Sequence, residues 1–228
     1  MTRSRKFRKG KTPRSFGPIS RNEALKIMEA SYLAAASSLI WVALYYLPVG
    51  GALFRLALPL PLALLQVRRG SSSGFEGVCL AVLLLIALMG PVRGPLILFP
   101  YGLLALWLGW SWQLGLSWWC SWGFGVLIGT FGFFVRVFVL SLLVGENLWI
   151  VITRAGSALL ERMVELFNLQ IVPELGQVQL VAFLLVVVQE MIYVLTLHAL
   201  AFWIFPRLKA PIPEPPNFLN GLVALDSL

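Results

Sequence analysis

Long runs of hydrophobic residues, separated by short segments rich in Pro, Gly and basic residues, dominate the chain from about residue 22 onward. A helix of about 20 apolar residues spans the hydrocarbon core of a bilayer. The helix also satisfies its own backbone hydrogen bonds, which lipid cannot do. The pattern therefore predicts an all-α integral membrane protein with six transmembrane helices. They are expected at about residues 22–47, 51–67, 71–90, 96–114, 117–144 and 178–205.

Local signals shape several of these helices. Ser20 and Glu23 have the spacing of a capping box, in which each side chain accepts from a free backbone amide at the helix start. Pro59 in the second run predicts a kinked or partly unwound helix, because proline lacks an amide donor. The strictly apolar part of the third run, 78–89, is short enough for a re-entrant segment. The fourth helix is expected to bend at Pro100.

Residues 145–176 follow a different pattern, in which charged residues interrupt an apolar periodicity. We predict an amphipathic helix lying along the outer membrane interface between the fifth and sixth helices. A pair of half-helices dipping into the membrane is the alternative. The apolar positions are Leu148, Ile152, Leu159, Met163 and Leu166, and the charged positions are Arg154, Glu161, Arg162 and Glu165.

The distribution of charge predicts the orientation. The formal net charge is +8, and residues 1–22 contain basic residues without an acidic one. Basic residues remain on the cytoplasmic side of membrane proteins, so both termini are expected there, in a bacterial plasma membrane or a thylakoid. We divide the chain into a disordered basic tail (1–21), a transmembrane domain (22–205) and a Pro-rich tail (206–228). The basic tail is expected to contact anionic lipid, and no nucleic-acid partner is expected.

Ionisable residues inside a bilayer are costly and are therefore functional candidates. Arg55, Arg136 and Glu190 fall within predicted spans, in the outer half or near the midplane, and Gln189 adjoins the last of them. These four residues predict a pocket for a small polar or anionic ligand. The alternative is that Arg136 and Glu190 form a structural ion pair while Arg55 extends to the interface. His198 is expected to be a hydrogen-bonded packing residue, with a proton relay as the alternative.

Small residues at a spacing of four let helices approach closely. Ala30, Ala34 and Ser38 form such a stripe on the first helix, which we expect to contact a partner subunit. A second stripe on the fifth helix, Gly125 and Gly129, is expected to serve internal packing.

Motifs for catalysis or cofactor binding are missing from the sequence. There is no G-x-x-x-x-G-K-[ST] loop, no H-E-x-x-H and no G-x-S-x-G. Cys79 and Cys120 have no Cys or His at the spacing of metal ligands. We expect neither enzymatic activity nor a cofactor or metal site, so active transport would need another subunit to supply energy.

The Pro-, Gly- and Arg-containing segments that lie between or after the hydrophobic runs resemble those of the YybS-like family of uncharacterised bacterial membrane proteins. The similar segments are 47–51 (LPVGG), 58–61 (LPLP), 68–70 (RRG), 90–95 (GPVRGP) and 213–218 (PEPPNF). That family is distantly similar to the substrate-binding components of energy-coupling-factor transporters. The resemblance implies a six-helix bundle with an outward-facing pocket for a micronutrient. It also implies docking of the first helix, through Ala30, Ala34 and Ser38, onto a transmembrane coupling subunit driven by ATPases.

A function of another class remains open. A membrane scaffold or assembly factor would bind other membrane proteins through its small-residue stripes, and its interior charges would be paired with one another. A substrate-binding subunit would instead have a polar cavity reaching Arg55, Arg136 or Glu190.

Overall fold

The structure is a computed structural model that describes residues 20–48, 50–166, 174–210 and 212–216. Within these ranges every regular element is helical, which confirms the predicted all-α class. Six helical segments have the length and hydropathy needed to cross a membrane. In chain order the helices are α1 Arg21–Tyr46, α2 Gly51–Ala57, α3 Leu60–Arg69, α4 Ser71–Met89, α5 Tyr101–Gln113, α6 Trp118–Val144, α7 Leu148–Leu166 and α8 Leu175–Ile204.

Helix α1 begins at the predicted capping box. The backbone amide of Glu23 donates to the Ser20 hydroxyl at 3.3 Å, and the amide of Ser20 donates to the Glu23 carboxylate at 3.1 Å. These two bonds satisfy amide donors that the first turn of a helix leaves free. The start of α1 is therefore fixed by its local sequence.

The second membrane segment is broken, as the prolines predict. Helix α2 ends at Ala57 and α3 begins at Leu60, with Pro59 between them. Pro59 has no amide to donate to the preceding turn. The Ser37 hydroxyl of α1 donates to the carbonyl of Leu58 at 3.1 Å. A neighbouring helix thus satisfies a carbonyl at the break, as lipid-embedded backbone requires.

The third and fourth segments differ from each other in continuity. Helix α4 is continuous over 19 residues and has the length and hydropathy needed to cross a membrane. The fourth segment is not one helix bent at Pro100, and that prediction is corrected. A 3-10 helix, Gly94–Leu98, precedes α5, which begins only at Tyr101. Pro95 and Pro100 lie at the starts of the two elements, where a missing amide costs nothing.

Close packing of α1 against α3 and α4, and of α6 against α5 and α8, forms the body of the bundle. Ala30, Ala34 and Ser38 are all buried within the chain. The Ser38 hydroxyl donates to the carbonyls of Ala34 and, at 3.3 Å, of Ala81 in α4. The expectation that this stripe faces a partner subunit is therefore corrected, because helices of the same chain already cover it.

The glycine stripe of α6 packs internally, as predicted. An added methyl group at Gly125 would lie 2.8 Å from a side-chain carbon of Val194 in α8. At Gly132 it would lie 2.5 Å from the ring of Pro100. Both distances are shorter than ordinary carbon contacts, so α6 can approach its neighbours only with glycine at these positions.

The bundle has two chemically distinct ends. The basic end contains the start of α1, the ends of α3, α5 and α8, and Arg68, Arg69 and Lys209. Packing at this end continues past residue 205, since Ile212 is buried and the Trp118 indole donates to the carbonyl of Pro213 at 2.8 Å. The predicted disordered tail, 1–21, lies almost entirely outside the described residues.

The opposite end, named the α7 end, contains the end of α1, the start of α2 and helix α7. The predicted helix between the fifth and sixth spans is present, and it contacts α6 and α8. Its placement at a membrane interface stays a prediction.

Candidate functional site

A cavity of about 290 Å³ lies at the α7 end, between α2, α5, α6, α7 and α8. All four residues predicted for a ligand site line it, so the structure brings together side chains from three separate spans. That they bind a ligand stays a prediction. The lining residues are Arg55, Pro100, Tyr101, Phe133, Arg136, Val137, Leu140, Leu148, Val151, Ile152, Gln189 and Glu190.

Glu190 is the most buried ionisable residue of this group. It is 6% exposed, and its Oε2 atom has no hydrogen-bond partner within the described part of the chain. This oxygen lies against Gly129 of α6, where a methyl group on the glycine would collide with it. A buried carboxylate without a partner is costly. The glycine stripe therefore makes room for an acid whose hydrogen-bonding capacity the protein leaves unfilled.

Arg55 lines the same cavity as Glu190. Arg55 and Glu190 do not form a close ion pair. Among the described residues, the salt bridges with a nitrogen–oxygen distance within 4.0 Å involve Glu29, and none involves Glu190. The backbone carbonyl of Arg55 accepts a bond of 2.9 Å from the Tyr193 hydroxyl. This bond ties α2 to α8 and places the side chain of Arg55, which is exposed, at the rim of the cavity.

Arg136 contacts α1 and does not pair with Glu190. Its guanidinium lies 5.4 Å from the centre of the Trp41 ring, and Nη2 donates to the Tyr45 hydroxyl at 3.3 Å. The alternative prediction of an Arg136–Glu190 ion pair is corrected on this geometry. The aromatic face of Trp41 attracts the cation, and it holds Arg136 on the side of α6 that faces α1.

Aromatic residues that no sequence motif marks support both arginines. Trp41 and Tyr101 make an edge-to-face contact with ring centres 5.6 Å apart, and Tyr101 and Tyr193 make another at 6.3 Å. Trp41 is fully buried. A tyrosine within an apolar run could have indicated this role, because its hydroxyl needs a polar partner.

His198 lies away from the cavity, two turns of α8 beyond Glu190 toward the basic end. It is fully buried, with Nδ1 at 2.9 Å from the carbonyl of Val194 and Nε2 at 2.9 Å from the Ser121 hydroxyl. Ser121 in turn lies 2.7 Å from the Ser111 hydroxyl of α5. The structure confirms the expected hydrogen-bonded packing residue, which joins α5, α6 and α8.

At the basic end, Glu29 of α1 pairs with two arginines that close α3. Arg68 Nη1 lies 3.1 Å from one carboxylate oxygen, and Arg69 Nε donates to the other. In the sequence, Arg68 and Arg69 stand out only as part of the segment 68–70 (RRG), and nothing there connects them to Glu29. Forty residues separate Glu29 from Arg69, so no local spacing pointed to this contact.

A family model described as "Predicted membrane protein (DUF2232)" matches residues 34–221, which is most of the chain. No curated protein and no solved structure matches the chain. The matched region includes five of the six apolar helices in full and the second half of α1. The chain is therefore an integral, multi-pass membrane protein, and it belongs to the DUF2232 family of membrane proteins.

Proposed function

We propose that the protein is the substrate-binding membrane subunit of a micronutrient transporter similar to the energy-coupling-factor type. The observation that carries the proposal is the cavity at the α7 end, where charges of both signs meet without pairing closely. Ionisable residues within membrane spans are retained where they serve a ligand or an ion path. The resemblance to the YybS-like family supports the same function.

The shape and charge of the cavity limit the ligand. Its volume of about 290 Å³ lies at the small end of ligand pockets, which typically measure about 300–1,000 Å³. Arg55 and Arg136 suit an anionic group such as a carboxylate or phosphate. Glu190 suits a hydrogen-bond donor or a cationic group. A small molecule carrying both kinds of group satisfies all three side chains at once.

The scaffold alternative predicts an interior whose charges are paired within the chain. The unpartnered oxygen of Glu190 favours ligand binding over that alternative. Active transport would then require a coupling subunit and ATPases as partners. Since α1 buries its small-residue stripe, such a partner would contact an exposed surface other than that stripe.

The test is native mass spectrometry of the protein purified in gentle detergent, scoring a retained small molecule and co-purifying ATPases. We expect Arg136→Gln and Arg55→Gln each to reduce ligand retention by about tenfold, since a hydrogen bond to a charged group contributes about 1.5–3 kcal/mol. Arg93→Gln is the matched control, because Arg93 is exposed at the same end and lies outside the cavity.

Two results would contradict the proposal. One is the absence of any retained molecule and of ATPases, together with unchanged growth of the Arg55 and Arg136 variants on limiting micronutrients. The other is equal loss of ligand in Arg93→Gln, which would show a general effect of surface charge.

A further inference from the structure

Two cavities adjoin one another at the basic end, and both are separate from the ligand cavity. The first is an apolar groove of about 590 Å³ between α1, α3 and the end of α8. The second is a polar cavity of about 570 Å³ lined by Arg68, Arg69 and Lys209 together with Gln113. Arg68 lines both cavities. The two therefore form one continuous surface with an apolar part and a cationic part.

The groove has the length of one leaflet of a bilayer. Along α1 it extends from Glu29 to Ile40, which is about 16 Å at a rise of about 1.5 Å per residue. Half of a hydrocarbon core of about 30 Å is about 15 Å. Small residues line the groove where a chain would lie, with Ala36 on α1 and Ala57 at the end of α2. An acyl chain from a single leaflet fits these dimensions.

The cationic part retains positive charge after its internal pairing. Glu29 forms ion pairs with both Arg68 and Arg69, which leaves one arginine charge unbalanced. Lys209 adds a second, and it is exposed. The Arg68 side chain is also 37% exposed. Two cations that have no counter-ion among the described residues, at the end of a leaflet-length apolar groove, are complementary to a negatively charged headgroup.

We propose that this surface binds one anionic phospholipid. The headgroup phosphate lies on Arg68 and Lys209, and one acyl chain lies in the groove beside Ala36 and Ala57. A zwitterionic lipid gains less here, because its own cation meets the arginine and the lysine. The proposal concerns a site separate from the ligand cavity and does not rest on the proposed transport function.

The first test titrates the full-length protein in detergent with phosphatidylglycerol or phosphatidylcholine and counts bound lipid by native mass spectrometry. We expect one tightly retained phosphatidylglycerol. Lys209→Asn and Arg68→Gln should each weaken its binding by about fivefold, since one basic residue near an anionic membrane surface contributes about 1 kcal/mol. Asn tolerates the left-handed backbone of Lys209, whose φ is 58°. Arg93→Gln at the α7 end should bind as wild type does.

The second test fills the groove. Ala36→Phe should abolish lipid retention, whereas Ala87→Phe, on the exposed side of α4 and outside the groove, should leave it unchanged. Arg68→Gln removes one of the two ion pairs of Glu29, so a loss of lipid in that variant alone does not separate lipid binding from folding. Ala36→Phe and Lys209→Asn leave both ion pairs in place and therefore decide the outcome.

Three results would overturn the proposal. They are equal binding of the two lipids, wild-type retention in both Lys209→Asn and Ala36→Phe, and capture of a protein in place of a lipid. The last is measured in intact membranes with a photo-crosslinking phenylalanine derivative at position 32, where Tyr32 already places an aromatic ring in the lining of the groove. A protein adduct there would show that a partner helix occupies the groove.

Discussion

The two ends of the bundle differ in whether their buried ionisable residues have partners within the described chain. At the basic end, Glu29 binds Arg68 and Arg69, and nearby His198 uses both ring nitrogens in hydrogen bonds. At the α7 end, one oxygen of Glu190 has no partner among the described residues, and the nearby arginine side chains line an open cavity. The first arrangement resembles that of polar groups which hold helices together. The second leaves interactions available to another molecule.

This difference predicts that one set of ionisable residues contributes to stability and the other to ligand binding. Polar groups that the chain satisfies internally should matter for unfolding and little for ligand binding. Groups that the chain leaves unsatisfied should show the reverse, because the folded state already bears the cost of burying them. Substitutions at the two ends should therefore change different measurements.

The largest effect on stability is expected from His198→Ala. The change leaves a cavity between α5, α6 and α8 and removes one of the two hydrogen-bond partners of the Ser121 hydroxyl. We expect a loss of about 3 kcal/mol of unfolding free energy. Ligand retention per folded molecule should not change. Equilibrium unfolding in mixed micelles measures the first quantity, and native mass spectrometry the second. Leu195→Ala, which truncates a 39% exposed side chain of the same helix, is the control.

A proton relay at His198 predicts the opposite outcome. Stability would then change little, and uptake of the ligand would fall in reconstituted vesicles. His198→Gln separates the two cases, because an amide can keep a hydrogen bond to Ser121 but cannot exchange a proton in the same way.

A smaller effect, on binding and less on stability, is expected from Gly129→Ala. The added methyl group collides with Oε2 of Glu190 and pushes the carboxylate toward the cavity. We expect ligand retention to fall about tenfold, with a stability loss of about 1 kcal/mol from overpacking. Gly123→Ala is the matched control, since a methyl group there meets no atom within 4 Å. Equal binding by both variants would show that the position of Glu190 is unimportant.

The sequence predicts the elements of this fold better than their contacts. Hydropathy and proline positions identify all six spans and the break at Pro59, because both effects act within a few residues. The same local reasoning fails at Pro100, where a 3-10 helix and a new α-helix replace a bend. Proline shows that a helix changes direction there, but the packing of α5 against its neighbours decides how.

The candidate site could be predicted as a set of residues but not as a set of interactions. Charge inside apolar runs marks Arg55, Arg136 and Glu190, and all three line one cavity. Which groups pair depends on helix rotation. Arg136 faces Trp41 of α1, a residue that no spacing rule connects to it. The small-residue stripe of α1 was misassigned for the same reason, since a stripe packs equally well against its own chain.

The smallest effects come from a matched pair of Glu→Gln substitutions. Glu29→Gln leaves Arg68 and Arg69 without their counter-ion, so we expect the midpoint of thermal unfolding to fall by about 2 °C, and by less at high salt. Glu190→Gln removes a carboxylate whose Oε2 has no partner in the described structure, and the midpoint should rise by a similar amount while ligand retention falls. A stabilising substitution that impairs binding indicates a group retained for its ligand. If both variants were destabilised equally, Glu190 would be structural in the same sense as Glu29, and the contrast between the two ends would be wrong.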